Sequence, residues 1–321
     1  MNDILAKAGR LFRDALQISY ELFKIMIPLI VAVKILKELG LVEILARGLT
    51  PFMEVVGLPG SSGLVWATTM VTNIYTGMVV FVSLASEHPI TVAQTTVLAS
   101  MMLMAHGLPV ELRIAQKAGA RLAVMAVVRI GGAFLFGFIL NQVYLLGNWL
   151  QQPNTLAWAP PVQDTSYAAW ALGEIRNLAM IFVIILCLLI VLRILGKIGI
   201  TRLITKCLQP VLRLLGIGEE ASTITIVGMT LGLAYGGGLI IREARSGRLD
   251  RKDILYSLAL MGLSHSLIED TLLLMLLGGS LSGIFWGRIA FSLLCIYLMV
   301  RIVSLFPDSV LDRWLFQRGS T

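Results

Sequence analysis

The sequence predicts an all-α polytopic membrane protein made of two inverted-topology repeats, each with about three transmembrane helices, an interfacial amphipathic helix and a re-entrant hairpin. Three observations predict it. The chain is 57% hydrophobic and only 14% charged, where a soluble domain carries about 25% charged residues. Its Lys and Arg residues sit in short clusters between apolar segments rather than in one polar domain, which is the pattern of positive-inside anchoring and not of nucleic-acid binding. Sliding the chain by 159 residues aligns its halves without a gap from Lys34 to Leu140, the signature of a duplicated unit.

Residues 1–17 (MNDILAKAGRLFRDALQ) are amphipathic and basic and lead into an apolar stretch with no small-residue cleavage site. A retained N-terminal helix is expected, with both termini on the cytoplasmic side. The first repeat, 18–145, then reads as an apolar helix over about 18–36, an amphipathic stretch 41–56, an interrupted segment 61–86, and helices 92–117 and 120–145. A linker, 146–173, carries no Lys or Arg and belongs on the extracytoplasmic face. The second repeat, 174–305, runs through 174–196, 200–215, 221–242, 254–277 and 282–305. An amphipathic tail, 306–321, lies at the interface. Cys187, Cys207 and Cys295 show neither a disulfide framework nor zinc-ligand spacing.

The alignment pairs Gly40 with Gly199, Pro51 with Pro210, Gly57 with Gly216, Gly77 with Gly236, Gly119 with Gly278 and Arg129 with Arg288. AHGLPVE lies on SHSLIED, so His106 matches His265 and Glu111 matches Asp270. Rare residues falling in register are hard to obtain from shared apolar composition. EHPIT lacks Lys and Arg, whereas its counterpart region REARSGRLDRKD has five; Gln116–Arg121 is basic where Met275–Ser280 is not. Opposite charge bias at matched loops implies opposite orientation, hence an odd number of crossings per repeat. The interrupted segments satisfy this count as re-entrant hairpins turning near TNIYTG and AYGGG, where glycine supplies the bend. A plan of this kind places a substrate site near the midplane.

A charge at the centre of a membrane helix costs about 2.5–3.5 kcal/mol, so intramembrane ionisable groups need partners, water or a function. His106, Glu111, His265, Glu269 and Asp270 are the candidate substrate- or ion-binding residues, facing one another between the repeats. On a continuous helix His265 and Glu269 would share a face, while Pro109 predicts a break beside His106 that brings Glu111 toward it. Arg129 and Arg288 are candidate ion-pair partners that lock helix to helix. Thr72, Asn73, Tyr75, Thr76 and Tyr235 are the hairpin candidates, each able to bind a polar solute or to satisfy broken backbone. Any metal would fall to His106, His265 and Glu269.

HSLIED with its copy HGLPVE, in a duplicated unit with glycine-broken hairpins, resembles the bacterial Gate, or nucleoside-recognition, domain family, which includes spore maturation proteins A and B. The resemblance covers about residues 20–305 and extends to parts of concentrative nucleoside transporters. It implies a multi-pass protein of the bacterial inner membrane with transporter-like architecture. The leading expectation is a secondary transporter or permease, not an enzyme, for a small polar solute such as a nucleoside or related metabolite. Coupling to a proton or sodium is expected, with no bound cofactor, and a homodimer is the expected assembly. Alternatives are a divalent-metal permease, since two His and three carboxylates supply nitrogen and oxygen ligands, and a non-transporting scaffold or lipid-handling protein. No Walker motif is present, and His265 beside Ser264 and Ser266 makes no catalytic triad without geometry.

Overall fold

A computed structural model describes residues 2–85, 89–156 and 166–316. Among these residues the secondary structure is helical, apart from two isolated bridges, Thr91 to Pro153 and Ala120 to Phe316. Six helical segments are long and apolar enough to cross a membrane: Leu11–Ala32, Val92–Lys117, Leu122–Leu146, Tyr167–Ile198, Arg251–Met275 and Ser282–Val303. The chain is therefore a polytopic helical membrane protein.

The first half opens with α1 (Asn2–Glu38), which unites the amphipathic segment 1–17 and the apolar helix 18–36 that the sequence had suggested were separate. Pro28 lies inside it without ending it, because a membrane helix can tolerate one lost backbone bond. The amphipathic α2 (Leu41–Val55) follows, then α3 (Ser61–Val71) and α4 (Ile74–Ala85), which pack against each other as a hairpin. The next crossing is broken into α5 (Val92–Met104) and α6 (Leu108–Lys117), and α7 (Leu122–Leu146) completes the half. A full capping box starts α5: Thr91 Oγ1 accepts from Gln94 N at 3.1 Å while Gln94 Oε1 accepts from Thr91 N at 3.0 Å.

The second half repeats the order: α8 (Tyr167–Ile198), α9 (Ile200–Leu214), the pair α10 (Glu219–Leu231) and α11 (Leu233–Arg245), the broken crossing α12 (Arg251–Ser264) and α13 (Glu269–Met275), and α14 (Arg288–Val303). A π-helical turn, Ser282–Gly287, leads into α14, and α15 (Asp308–Trp314) ends the described chain. The linker is shorter than 146–173, because Ser166 caps α8 by accepting from Ala169 N at 3.1 Å. Residues 157–165 of that linker, 86–88 of EHPIT and 317–321 of the tail lie outside the described residues.

Two breaks differ from expectation. The second hairpin turns at Gly232 rather than in AYGGG. Gly232 has φ 96° and ψ 160°, backbone open essentially to glycine alone. The following glycines are helical instead, and Gly236 brings α11 so close to Gly228 of α10 that a Cβ there would strike the Gly228 backbone. In the first hairpin Gly77 is pressed in the same way against Thr69, at the matching positions.

The second difference is that helix 254–277 is not continuous. It stops at Ser264, and Ser266 adopts φ 46°, matching Gly107 at φ 55° in the first half. Gly107 with Pro109 makes the first break explicable from residue type. Ser266 occupies the left-handed region without glycine's freedom, at a cost of about 1–2 kcal/mol.

The halves interlock through α5 and α7 against α12, and through α6 against α11. Phe136 stacks on Phe291 at 4.8 Å, Tyr144 Oη and Ser282 Oγ share a hydrogen bond of 2.9 Å, and Asn154 Nδ2 donates to Leu277 O at 2.8 Å. Outward faces of α7, α8 and α14 are apolar, with Val127, Leu135, Ile175, Val183 and Leu298 exposed, as helices facing lipid require. At one end α15 ties the two halves: Arg121 donates to Arg313 O at 2.8 Å and Arg251 pairs with Asp312 at 2.8 Å.

Candidate functional site

Each broken crossing leaves carbonyl groups at the end of its first helix without intrahelical partners. In water these would be solvated; inside protein they must find donors. The chain supplies them with the same residue types at matching positions. His106 Nδ1 lies 3.1 Å from Met102 O and His265 Nδ1 lies 2.8 Å from Met261 O. Arg129 Nε donates to Met104 O at 2.9 Å and Arg288 Nε donates to Leu263 O at 3.0 Å. Arg288 Nη2 donates also to His265 O at 2.7 Å and across to Leu103 O at 3.4 Å. Cations at helix C-termini oppose the negative end of the helix dipole as well.

The two histidines meet. Their Nε2 atoms are 2.9 Å apart and the ring centroids 4.7 Å apart, with His106 8% and His265 2% exposed. Glu111, in the first turn of α6, puts Oε1 3.4 Å from His106 Nε2 and 3.3 Å from His265 Nε2, while its Oε2 is bonded to Arg129 Nη1. Asp270 Oδ2 lies 4.0 Å from His106 Nε2 and finds no hydrogen-bond donor among the described residues. The breaks fall at residues 105–107 and 265–268, near the middle of spans Val92–Lys117 and Arg251–Met275.

Of the predicted site residues, His106, Glu111, His265 and Asp270 come together in one buried cluster. Glu269 does not share a helical face with His265, because the helix between them is broken; it accepts instead from Tyr75 Oη at 3.4 Å. Asp270 replaces Glu269 as the third donor beside the histidines: one ligand-type atom from each of His106, His265 and Asp270 lies within 4.8 Å of the others. Arg129 pairs with an acid as expected, whereas Arg288 meets backbone carbonyls and no carboxylate within ion-pair distance among the described residues.

Of the hairpin candidates, Tyr75 reaches Glu269, while Thr72, Asn73 and Thr76 satisfy the local helix ends rather than enter the cluster. Asn73 Oδ1 caps α4, accepting from Thr76 N at 2.9 Å and Thr76 Oγ1 at 3.0 Å, and Thr72 Oγ1 donates to Thr68 O at 2.7 Å. The Tyr235 side chain lies outside the described residues. The hairpins still touch the site through backbone: Gly107 N donates to Thr69 O at 3.1 Å and Leu267 N to Met229 O at 2.8 Å. Sequence reasoning missed these bonds and the role of the arginines at carbonyls, because neither leaves a residue-type signal beyond the in-register Arg pair itself.

Fold and cluster define a polytopic helical membrane protein with ionisable side chains from both halves buried together. No family model matches the chain. It is similar to the uncharacterized membrane protein YvoD of Bacillus subtilis (strain 168), 27% identical over 265 residues that span 82% of this chain and 84% of that protein. No solved structure matches.

Proposed function

We propose that this protein is a secondary transporter or permease for a small polar solute of the nucleoside or related metabolite class, acting at the junction of its two halves in the bacterial inner membrane. The observation that carries the reading is the contact of His106 and His265, Nε2 to Nε2 at 2.9 Å, between two crossings broken near their middles. Ionisable groups at that depth are functional by default, and paired broken helices are how transporters expose backbone and charge to a solute.

The inverted arrangement of the repeats is part of this reading. It is supported by α15, which binds the start of α7 through Arg121 and the start of α12 through Arg251. The second crossing of one half thus ends where its counterpart begins. Glu111 is bonded to Arg129, whereas Asp270 Oδ2, beside His106, has no hydrogen-bond partner among the described residues. An unpartnered carboxylate oxygen beside two imidazoles is a place for a cation, which supports cation coupling over a neutral uniporter.

The test is solute counterflow in proteoliposomes with nucleosides and small polar metabolites, for the wild type and His106→Ala/His265→Ala, both shown monodisperse by gel filtration. Uptake of one solute class by wild type and its loss in the folded double variant is the expected result. No uptake, or equal uptake by both, overturns the reading in favour of a scaffold whose ionisable groups only lock helices.

A further inference from the structure

We propose that His106, His265, Glu111 and Asp270 form a binding site for a first-row divalent transition-metal cation, placed where the two halves meet. This rests on the reading of the cluster as a site and names the cation it takes.

The argument begins with hydrogens. Carbonyl oxygens only accept, so the contacts of both Nδ1 atoms with Met102 O and Met261 O assign the ring hydrogen of each histidine to Nδ1. In the neutral rings both Nε2 atoms then carry lone pairs. They lie 2.9 Å apart, with Glu111 Oε1 within 3.4 Å of each. With neutral rings three acceptors converge with no donor among them, an arrangement that a shared cation relieves.

A backbone carbonyl on the far ring nitrogen is also the arrangement that orients metal-ligating histidine and raises its basicity. Glu111 is held in the same manner, its second oxygen anchored by Arg129. Asp270, 7% exposed, brings a fourth donor, Oδ2, with no hydrogen-bond partner among the described residues.

The separation of the two nitrogens fits neighbouring positions in a coordination shell. With metal–nitrogen bonds of about 2.0–2.1 Å, nitrogens 2.9 Å apart subtend about 90° at the ion, the angle between neighbouring ligands of an octahedron. Two imidazoles with two carboxylates suit manganese, iron, cobalt, nickel or zinc rather than calcium or magnesium, which prefer oxygen alone, or copper(I), which prefers sulfur.

Detergent-purified protein, stripped with chelator, is incubated with Co²⁺, Mn²⁺ or Zn²⁺, with Mg²⁺ as control, and passed through gel filtration before elemental analysis; Co²⁺ affinity is read by titration of its d–d absorption. Wild type is expected to retain one transition-metal ion per chain and no Mg²⁺, and His265→Gln none. Should His265→Gln fail to fold, Asp270→Asn, which keeps shape and loses charge, is expected to weaken Co²⁺ binding tenfold or more. Retention no greater in wild type than in His265→Gln, or affinity unchanged in Asp270→Asn, overturns the metal site. Solute counterflow that persists without metal binding would leave the transporter reading standing and sink this one alone; metal binding without counterflow would do the reverse.

Discussion

Arg129 and Arg288 occupy matching positions and are 1% and 0% exposed, yet their partners differ in kind, and a pair of double-mutant cycles should separate them. Arg129→Met removes the bond to Met104 O and strands the Glu111 carboxylate inside protein. The stranded charge alone is worth about 3–5 kcal/mol. Glu111→Gln in the same chain removes that charge, so most of this part should return, giving a coupling of about 3 kcal/mol. Arg288→Met strands carbonyls instead: Leu263 O at 3.0 Å and His265 O at 2.7 Å lose charged donors, at about 1.5–3 kcal/mol each. Asp270→Asn cannot restore those bonds, so the Arg288–Asp270 coupling should stay under about 1 kcal/mol. The assay is denaturant unfolding in mixed micelles of the singles and doubles, with gel filtration to establish folding. If Arg129→Met does not fold, Arg129→Lys keeps the charge and tests the loss of the Nε bond in the same cycle. A coupling for Arg288–Asp270 equal to or above that for Arg129–Glu111 would refute the assignment of Arg288 to backbone.

Two further outcomes concern the breaks and the hairpins. Ser266 at φ 46° should accept glycine with a gain of up to about 1 kcal/mol and lose about 2 kcal/mol as Ser266→Val, whose branched side chain tolerates that backbone least; thermal unfolding in detergent reads both. Gly236→Ala would drive its Cβ into the Gly228 backbone and should abolish folded yield, whereas Gly238, with nothing within 4 Å of a Cβ, should take Ala with a gain of up to about 1 kcal/mol.

Much of this site was legible because the duplication can be read in rare residues. His106 with His265 and Arg129 with Arg288 stand in register, and Gly107 with Pro109 announces the first break. Ser266 announces nothing: serine is ordinary in a helix, and the break it occupies follows from a partner backbone, Leu267 N on Met229 O at 2.8 Å, that no sequence window contains. The same limit explains Glu269, whose helical pairing with His265 holds only if the helix does. Arg288 misled for a related reason, since an arginine near acids suggests an ion pair while the carbonyls freed by a break have no letter in the sequence. AYGGG looked like the turn because glycine is used for turns, but Gly236 and Gly237 serve close helix packing and Gly232 makes the bend.

The meeting of the two imidazoles carries a consequence for how little of the molecule is self-sufficient. Each half supplies one ring, one carbonyl to hold it and one guanidinium behind it, so neither half alone assembles the pair. The smallest unit able to do so is two half-length chains side by side. Two identical ones would force every substitution to be made twice. A fused chain is free of that constraint, and Glu111 opposite Asp270, like Gly107 opposite Ser266, marks where the two sides of the pair have gone separate ways.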